Sequence, residues 1–298
     1  MMRDLARRAA WRALLRLEPR LSSDLALLDY CRRFVLPAAR AAGGDLAPFV
    51  PAVRLGHAGI DLREAEQLER LRSWRDRHAP LFADLRQERR INTLCPGSPY
   101  LHNGMFPTPD AEIYAAMILD ERPRQILEVG AGFSTLVARA AVARLGGGCR
   151  ITVVDPEPRT DVTEAADTIV RAPVEEGGLE PFLGEAGLLL FIDSSHIVRG
   201  GGDVSYLYTQ ALPRLAAGTL VHVHDIYLPY EYPEEYQRRL YTEQYLLQAL
   251  LAHSPRYRVI FAAHWMAREQ PGAMREVFGP AVGREPGYFG ASFWFRVV

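Results

Sequence analysis

One short stretch, residues 124–139, constrains the fold of this chain more than any other. A short apolar run of Ile126, Leu127 and Val129 is followed by Gly130 and Gly132, and then by a helical pattern over 134–142. Strand, glycine turn and helix in this order are typical of the first half of a nucleotide-binding βαβ unit. The glycines allow backbone N–H groups to approach a ligand closely, and a side chain at Gly130 is expected to occupy space that the ligand needs. A tight turn without a ligand is the alternative.

Two residues beside the glycines distinguish between cofactors. Position 135, where a dinucleotide-binding fingerprint has its third glycine, is Thr135, and Glu128 lies two residues before Gly130. A carboxylate at this place repels a pyrophosphate and attracts a cation. S-adenosylmethionine carries an ammonium and a sulfonium and has no phosphate, so the turn fits that cofactor better than NAD.

A second carboxylate supports this interpretation. Residues 151–155 are predicted to form the next strand, which ends in Asp155. A carboxylate at that strand end can accept hydrogen bonds from both ribose hydroxyls of an adenosine, although a turn residue before Pro156 is the alternative. The residues predicted to bind the cofactor are Glu128, Gly130, Gly132, Ser134, Asp155 and Asp193.

Four segments together resemble a known family. They are residues 128–135, the strand 151–155, residues 191–196 (Phe-Ile-Asp-Ser-Ser-His) and residues 222–229 (His-Val-His-Asp-Ile-Tyr-Leu-Pro). With them the chain resembles the class I S-adenosylmethionine-dependent methyltransferases, in particular the methyltransferase-24-like branch, and is similar in site layout to macrocin and catechol O-methyltransferases. The resemblance covers about residues 97–298. It implies S-adenosylmethionine as cofactor and an antiparallel last strand.

The chain divides into two predicted parts. Residues 1–95 contain few strand signals and are expected to form an α-helical N-terminal cap, with a longer helix over 61–90. Residues 96–298 are the predicted S-adenosylmethionine-binding methyltransferase domain. A Pro/Gly-rich connector at 91–110 joins the parts and either lies over the cofactor or is an ordinary linker. Its candidate pocket residues are His102, Asn103 and Phe106.

The rest of the pattern predicts an α/β fold. Asp110 is expected to cap a helix over 111–119, and Asp203 a helix over 204–215. Further strands are predicted at 168–172, 188–193, 220–225, 257–262 and 291–298, with a long helix at 233–253 and a loop at 264–290. Strands that alternate with helices predict a Rossmann-like, doubly wound, seven-stranded sheet, mostly parallel with an antiparallel last strand.

Four side chains are expected to meet where strands four and five end. They are Asp193, His196, His224 and Asp225. In open α/β sheets ligands bind at the carboxyl ends of the strands. In one interpretation Asp193, His224 and Asp225 hold a divalent cation such as Mg²⁺, which acidifies an acceptor hydroxyl. The similar macrocin and catechol enzymes use a metal with acidic or amide ligands, whereas this chain has His224 at one such position.

In the other interpretation no metal is present and a histidine removes the proton. His196 or His224 is then the general base, because imidazole titrates near neutrality. The predicted catalytic residues are His196, His224 and Asp225, while Asp193 could instead position the methionine end of the cofactor. His222 lies inside a strand and is expected to be a hydrogen-bonded core residue. Tyrosines 227, 230, 232 and 236 either line an acceptor pocket or pack the following helix.

The net charge and the amino-acid composition limit the classes of partner that the protein is expected to bind. The 298 residues carry a formal net charge of −1, so no overall field favours nucleic acid or an anionic membrane. Three cysteines at unrelated spacings predict neither a disulfide framework nor a zinc cluster and fit a reducing cytoplasm. No apolar run reaches the about 18 residues of a membrane span. The expected partner is a small-molecule acceptor, and a homo-oligomer is compatible with the sequence.

These observations predict an S-adenosylmethionine-dependent methyltransferase that acts on a small molecule, at a hydroxyl oxygen. The sulfonium is already activated, so such an enzyme mainly aligns the acceptor and removes its proton. Two alternatives stay open at this stage. One is a nicotinamide-dependent oxidoreductase, which Glu128 and the missing third glycine oppose. The other is a non-catalytic methyltransferase-like binding protein, which would bind the cofactor without turnover.

Overall fold

The computed structural model describes residues 59–94, 96–176, 178–233, 236–237, 239–285 and 287–298. Residues 1–58, most of the predicted N-terminal cap, therefore lie outside the described residues. The division of the chain at residue 95 stays a prediction.

From residue 125 onward the described chain consists of strands, most of which are separated by helices or short helical turns. The helices are α1 (Glu64–Gln87), α2 (Asp110–Glu121), α3 (Phe133–Arg144), α4 (Asp203–Tyr206), α5 (Glu243–His253), α6 (Ala263–Glu269) and α7 (Pro271–Phe278). The strands are β1 (Gln125–Val129), β2 (Arg150–Val154), β3 (Thr168–Val170), β4 (Leu188–Ile192), β5 (Leu220–Val223), β6 (Tyr257–Ala262) and β7 (Phe293–Val297). Helical turns continue α4 through Leu207–Ala211 and Leu212–Arg214.

The seven strands form one sheet in the order β3-β2-β1-β4-β5-β7-β6. Strands β1 to β5 pair in parallel, and β7 runs antiparallel to both β5 and β6. The predicted Rossmann-like fold with an antiparallel last strand is therefore confirmed. The order reverses direction between β1 and β4, and open α/β sheets bind ligands at the carboxyl ends of the strands at such a point. All residues of these two strands are buried, as expected for strands covered on both faces.

Helix α1 confirms the long helix predicted over 61–90 and packs into the core of the sheet domain. The Trp74 ring lies 5.0 Å from that of Phe261 and 6.3 Å from that of Phe278. Its indole N–H donates a 2.8 Å hydrogen bond to Asp120 at the end of α2. The apolar face of α1 is thus covered by a strand and two helices.

The predicted N-cap role of Asp110 is wrong. Asp110 is the first residue of α2, and its carboxylate accepts hydrogen bonds from the backbone N–H groups of Ala291 and Ser292, at 2.9 and 3.0 Å. The carboxylate is buried and ties the start of α2 to the segment that enters β7. Such a long-range contact leaves no local sequence signal, whereas an aspartate at a helix start is a common cap pattern. Asp203 likewise serves another segment, because its carboxylate accepts from the backbone and hydroxyl of Ser195.

Two predicted boundaries in the last third are also wrong. The helix expected over 233–253 is interrupted before Glu243, where Leu240 adopts a left-handed backbone with φ of 63°. The loop expected over 264–290 contains α6 and α7. Pro271 and the glycine after it resemble a loop signal, yet proline is well accommodated in the first turn of a helix.

Among the described helices, none is long and apolar enough to span a lipid bilayer.

Gly130 determines how closely β1 approaches β4. Its φ is +87°, and a Cβ built on it would lie 2.0 Å from the carbonyl oxygen of Asp193. The side-chain position of Gly130, where the sequence predicted ligand space, is therefore filled by the backbone of Asp193. We predict that Gly130→Ala lowers the free energy of unfolding by more than about 3 kcal/mol, measured by denaturant titration.

Gly148 provides the matched control. Its φ is +84°, but a Cβ there meets nothing within 4 Å. Gly148→Ala should therefore cost only the backbone strain of about 1–2 kcal/mol. Equal losses in the two variants would contradict the close approach at Gly130.

Candidate active site

Asp155 fixes the glycine turn, as its position after β2 suggests. Its Oδ2 accepts a 2.7 Å hydrogen bond from the backbone N–H of Ala131, between the two glycines, and its Oδ1 accepts another from Glu157 at 2.7 Å. The side chain is only partly buried. The carboxylate therefore stands beside the turn with lone pairs left for a further donor.

Glu128 lies beneath the turn, where it is fully buried. Its carboxylate accepts a 2.9 Å hydrogen bond from the Tyr114 hydroxyl and another from the Thr135 hydroxyl, whose oxygen in turn accepts from the Gly132 N–H. Burial raises the pKa of Glu128 to about 7. Glu128 thus supports the turn from inside. Thr135, at the position of the missing third glycine, links Glu128 to the turn backbone.

The four side chains expected at the ends of β4 and β5 do converge. His196 Nε2 lies 3.1 Å from Asp193 Oδ1 and 3.6 Å from Asp225 Oδ2. His224 Nδ1 lies 3.7 Å from Asp193 Oδ1 and 3.6 Å from Asp225 Oδ1. These four residues, here called the acid–histidine cluster, adjoin the glycine turn because the Asp193 N–H donates to the Val129 carbonyl at 2.9 Å.

The charges within the cluster favour imidazolium forms. Burial alone would lower the pKa of His196, but its hydrogen bonds with Asp193 and Glu243 and the charge of Asp225 hold it well above its ordinary value. Burial likewise opposes the charged form of His224, but the charge of Asp193 raises its pKa well above the ordinary value. A protonated histidine cannot accept a proton, so this arrangement does not favour either histidine as the base.

The two carboxylates of the cluster differ. Burial raises the pKa of Asp193, but the charge of His224 and the hydrogen bond from His196 outweigh it and leave the pKa below its ordinary range. The Asp193 side chain is 36% exposed, so water can also donate hydrogen bonds to this carboxylate. Burial raises the pKa of Asp225, which is 13% exposed and has a left-handed backbone with φ of 54°. Asp225 is therefore the better proton acceptor of the pair.

Sequence reasoning missed Glu243. This carboxylate is fully buried, and its Oε2 lies 2.8 Å from His196 Nδ1. The carbonyl of His196 accepts hydrogen bonds from the backbone N–H groups of Thr242 and Glu243, which fixes the start of α5 against the cluster. Glu243 stands 47 residues from His196 inside what the sequence presents as a continuous helix, so no local signal could have identified it.

His222 is the core residue that the sequence predicted. Its ring stacks on Trp294 with centroids 4.0 Å apart, and its Nε2 lies 2.9 Å from the Ser292 hydroxyl. Burial lowers its pKa well below the ordinary value, so it stays neutral.

The side chains of the connector over 91–110 that were pocket candidates mainly hold the connector and its neighbours in place. The side-chain amide of Asn103 bonds the backbone of Ile91, Met105 and Phe106, and the Phe106 ring is buried 5.0 Å from that of His224. His102 bonds the Tyr288 hydroxyl. The connector does reach the glycine turn from outside. The Met105 sulfur lies 3.7 Å from the guanidinium of Arg159, and the Arg159 backbone N–H donates to the Ala131 carbonyl.

Aromatic rings stand beside the acid–histidine cluster. Tyr227, Tyr232, Tyr236 and Tyr241 have neighbouring ring centroids 5.2–6.4 Å apart. The Tyr241 ring lies 4.5 Å from that of His196. Three of these tyrosines were expected to line a pocket or pack a helix; their part in acceptor binding stays a prediction.

One subset of the cluster has the spacing of a metal site. Ligand atoms of Asp193, His196 and Asp225 all lie within 4.8 Å of one another. The sequence predicted His224 as the histidine ligand, and its Nδ1 is also near both carboxylates. The ligand set stays a prediction.

Comparison with known proteins finds a family match within the sheet domain. Residues 127–226 match the family described as a methyltransferase domain. This part of the chain is similar to methyltransferase domains. The match runs from β1 past the end of β5 and includes the glycine turn and the acid–histidine cluster. The resemblance to methyltransferases that the sequence motifs indicated is confirmed by this match.

Individual relatives are more distant. A protein of Archaeoglobus fulgidus described as uncharacterized is 35% identical over 101 residues, which cover 34% of this chain and 44% of that protein. The chain thus matches less than half the length of this relative. An O-methyltransferase structure from Bacillus cereus in complex with SAH has 14% identity, a TM-score of 0.43 and coverage of 76% of this chain and 96% of that one. A putative O-methyltransferase from Klebsiella pneumoniae has 15% identity, a TM-score of 0.43 and coverage of 80% and 99%.

The buried position of Glu128 predicts a pH-dependent stability. Its folded pKa of about 7 exceeds the unfolded value of 4.5, so its ionisation in the folded protein costs stability as pH rises through this window. Glu128→Gln, which stays neutral, should therefore gain stability relative to the wild type between pH 5 and pH 8.5 by roughly 2 kcal/mol. Denaturant titration at both pH values measures this difference.

Glu157 offers the control, since it is an exposed glutamate of the neighbouring loop. Glu157→Gln should show no comparable change with pH. A constant difference between Glu128→Gln and the wild type across this pH range would contradict the raised pKa.

Proposed function

We propose that this protein is an S-adenosylmethionine-dependent methyltransferase that methylates a hydroxyl of a small molecule. The observation that carries the proposal is the adjacency of two features at the carboxyl edge of the sheet. One is the glycine turn with Asp155, and the other is the acid–histidine cluster. The methyltransferase-domain match supports methyl transfer over the hydride transfer of a nicotinamide enzyme. The cysteine content also favours a cytoplasmic enzyme.

The residues around the turn fit such a cofactor. A Cβ at Gly132 would meet only the Arg159 Cβ, at 4.0 Å, so there is room above this side of the turn. The partly exposed Asp155 would accept the ribose hydroxyls. Gly130 and Ser134 would shape the turn, and Glu128 would hold it from below. Asp193, an anion beside the turn, would attract the positively charged methionine end. When bound, the cofactor supplies an activated methyl group.

The role of Asp155 can be tested by binding. Asp155→Ala should weaken S-adenosylmethionine binding by about 1.5–3 kcal/mol, the scale of a charge-assisted hydrogen bond, as measured by calorimetry. Asp161→Ala, at an exposed aspartate of the same β2–β3 connection, should bind as the wild type does. Circular dichroism would verify that both variants fold. An unchanged affinity of folded Asp155→Ala would exclude this role.

Deprotonation of the acceptor is assigned to the acid–histidine cluster. His196 hydrogen-bonds Asp193 and Glu243, so its positive charge already lies between the carboxylates. We propose that Asp225 accepts the hydroxyl proton while His196 stabilises the oxygen anion that forms. Glu243 acts as a positioning residue that orients His196. His224, whose Nδ1 lies 3.6 Å from Asp225 Oδ1, places a second imidazole next to the carboxylates and so helps to balance their negative charge.

The competing arrangement uses a divalent cation. The carboxylates of Asp193 and Asp225 with one imidazole, from His196 or His224, are suitable donors for Mg²⁺ or a similar ion. Such an ion would supply Lewis acidity at the acceptor oxygen. His196 would then need to lose the proton that now bonds Asp193.

Chelation separates the two arrangements. S-adenosylhomocysteine formation would be followed with a panel of phenols, alcohols and hydroxy acids. In the proposed arrangement, EDTA-treated protein shown to be metal-free by elemental analysis keeps its activity. Asp225→Asn should lower turnover by roughly 10²–10⁴ without weakening S-adenosylmethionine binding. Loss of activity with EDTA and recovery with a divalent ion would favour the cation arrangement instead.

A further inference from the structure

Arg268, near the end of α6, is exposed yet held on three sides. Its guanidinium carbon lies 4.8 Å from the ring centroid of Tyr230 and 5.2 Å from that of Phe289. Its Nε donates a 2.8 Å hydrogen bond to His264 Nε2. Two aromatic faces and one hydrogen bond fix the plane of the guanidinium, so little side-chain freedom remains to be lost on binding.

The orientation of His264 follows from its partners. Its Nδ1 lies 3.1 Å from the Gly290 carbonyl, which can only accept, so Nδ1 carries the proton and Nε2 accepts from Arg268. Burial, together with the charge of Arg268, lowers the pKa of His264 to about 3, so it stays neutral. A neutral histidine orients the arginine without cancelling its charge.

In the part of the chain that the structure describes, the terminal N–H groups of Arg268 face no carboxylate. Among the described residues, no carboxylate lies within 4.0 Å of its guanidinium, and the adjacent Glu269 accepts a hydrogen bond from the Tyr230 hydroxyl. An oriented arginine fork matches the geometry of a carboxylate or a phosphate.

The location of Arg268 connects it to the acid–histidine cluster. Helix α6 begins directly after β6, at the same edge of the sheet at which β5 ends. The His264 ring lies 4.8 Å from that of Tyr227, which follows Asp225 by two residues in the chain. His264 and Tyr227 therefore link Arg268 to the segment that directly follows Asp225.

We propose that Arg268 binds an anionic group, a carboxylate or a phosphate, on the methyl acceptor. This rests on the proposed methyltransferase function. The carboxylates of Asp193 and Asp225, and that of Asp110, whose Oδ2 lies 3.5 Å from His224 Nε2, repel an anion at the reacting end of the site. An acceptor with its hydroxyl at Asp225 and its anion at Arg268 satisfies both ends. The Tyr227 ring, next to His264, suits a flat apolar body.

Three probes that share one ring test the proposal. Benzyl alcohol is neutral, benzoate carries a carboxylate, and phenyl phosphate carries a phosphate. Ligand-observed NMR titration of the full chain should show that at least one anion binds about tenfold or more tightly than benzyl alcohol. The tighter anion identifies the chemistry of the group. Arg268→Gln should abolish the preference and leave benzyl alcohol binding unchanged.

Matched variants exclude a general charge effect. Arg284→Gln removes an exposed arginine with the same change in net charge and should keep the preference. Arg268→Lys keeps the charge without the fork and should retain only part of it. The proposal is overturned if neither anion binds more tightly than benzyl alcohol, if Arg268→Gln behaves as the wild type does, or if Arg284→Gln loses as much.

Cofactor binding provides a separate readout. Calorimetry with S-adenosylmethionine should give the same affinity for wild type and Arg268→Gln. Failure of the wild type to bind S-adenosylmethionine would contradict the proposed function but not the anion site. A loss of cofactor affinity in Arg268→Gln would contradict the anion site instead.

Discussion

The contact of the Gly130 backbone with the Asp193 carbonyl is the constraint on which the site depends. A Cβ at Gly130 would lie 2.0 Å from that oxygen, so only glycine permits this approach. The hydrogen bond from the Asp193 N–H to the Val129 carbonyl holds the two strand ends together. Because β1 carries the glycine turn and β4 leads into Asp193, a single close approach places the predicted cofactor site next to the acid–histidine cluster.

Burial determines how charge is distributed around this contact. Glu128, below the turn, has its pKa raised to about 7 by desolvation, although two hydroxyl groups donate to it. His196 shares the same buried edge, but carboxylates on both sides hold its pKa well above the ordinary value. The difference is that Glu128 has only neutral partners, whereas His196 has anionic ones. A protein interior accepts charge where an opposite charge is within hydrogen-bonding distance, and otherwise favours the neutral form.

The elements with strong local periodicity could be predicted. Strands β1, β4 and β6 are short apolar runs next to clear turn signals, and α1 has a long apolar stripe. Elements governed by distant contacts could not. The turn before α5 depends on the His196 carbonyl, which accepts the N–H groups of Thr242 and Glu243. Asp110 and Asp203 carry a capping pattern, yet each serves a segment far away in the chain or in another loop.

The sequence by itself determined the positions of the strands, the glycine turn and the convergence of Asp193, His196, His224 and Asp225. Those features follow from local pattern and from the rule that the carboxyl ends of parallel strands share one edge. Only the tertiary structure decided that Glu128 faces inward, that Glu243 bonds His196, and that Arg268 is clamped between Tyr230 and Phe289. Each of these depends on side chains brought together from separate parts of the chain, for which a single sequence contains no local periodicity.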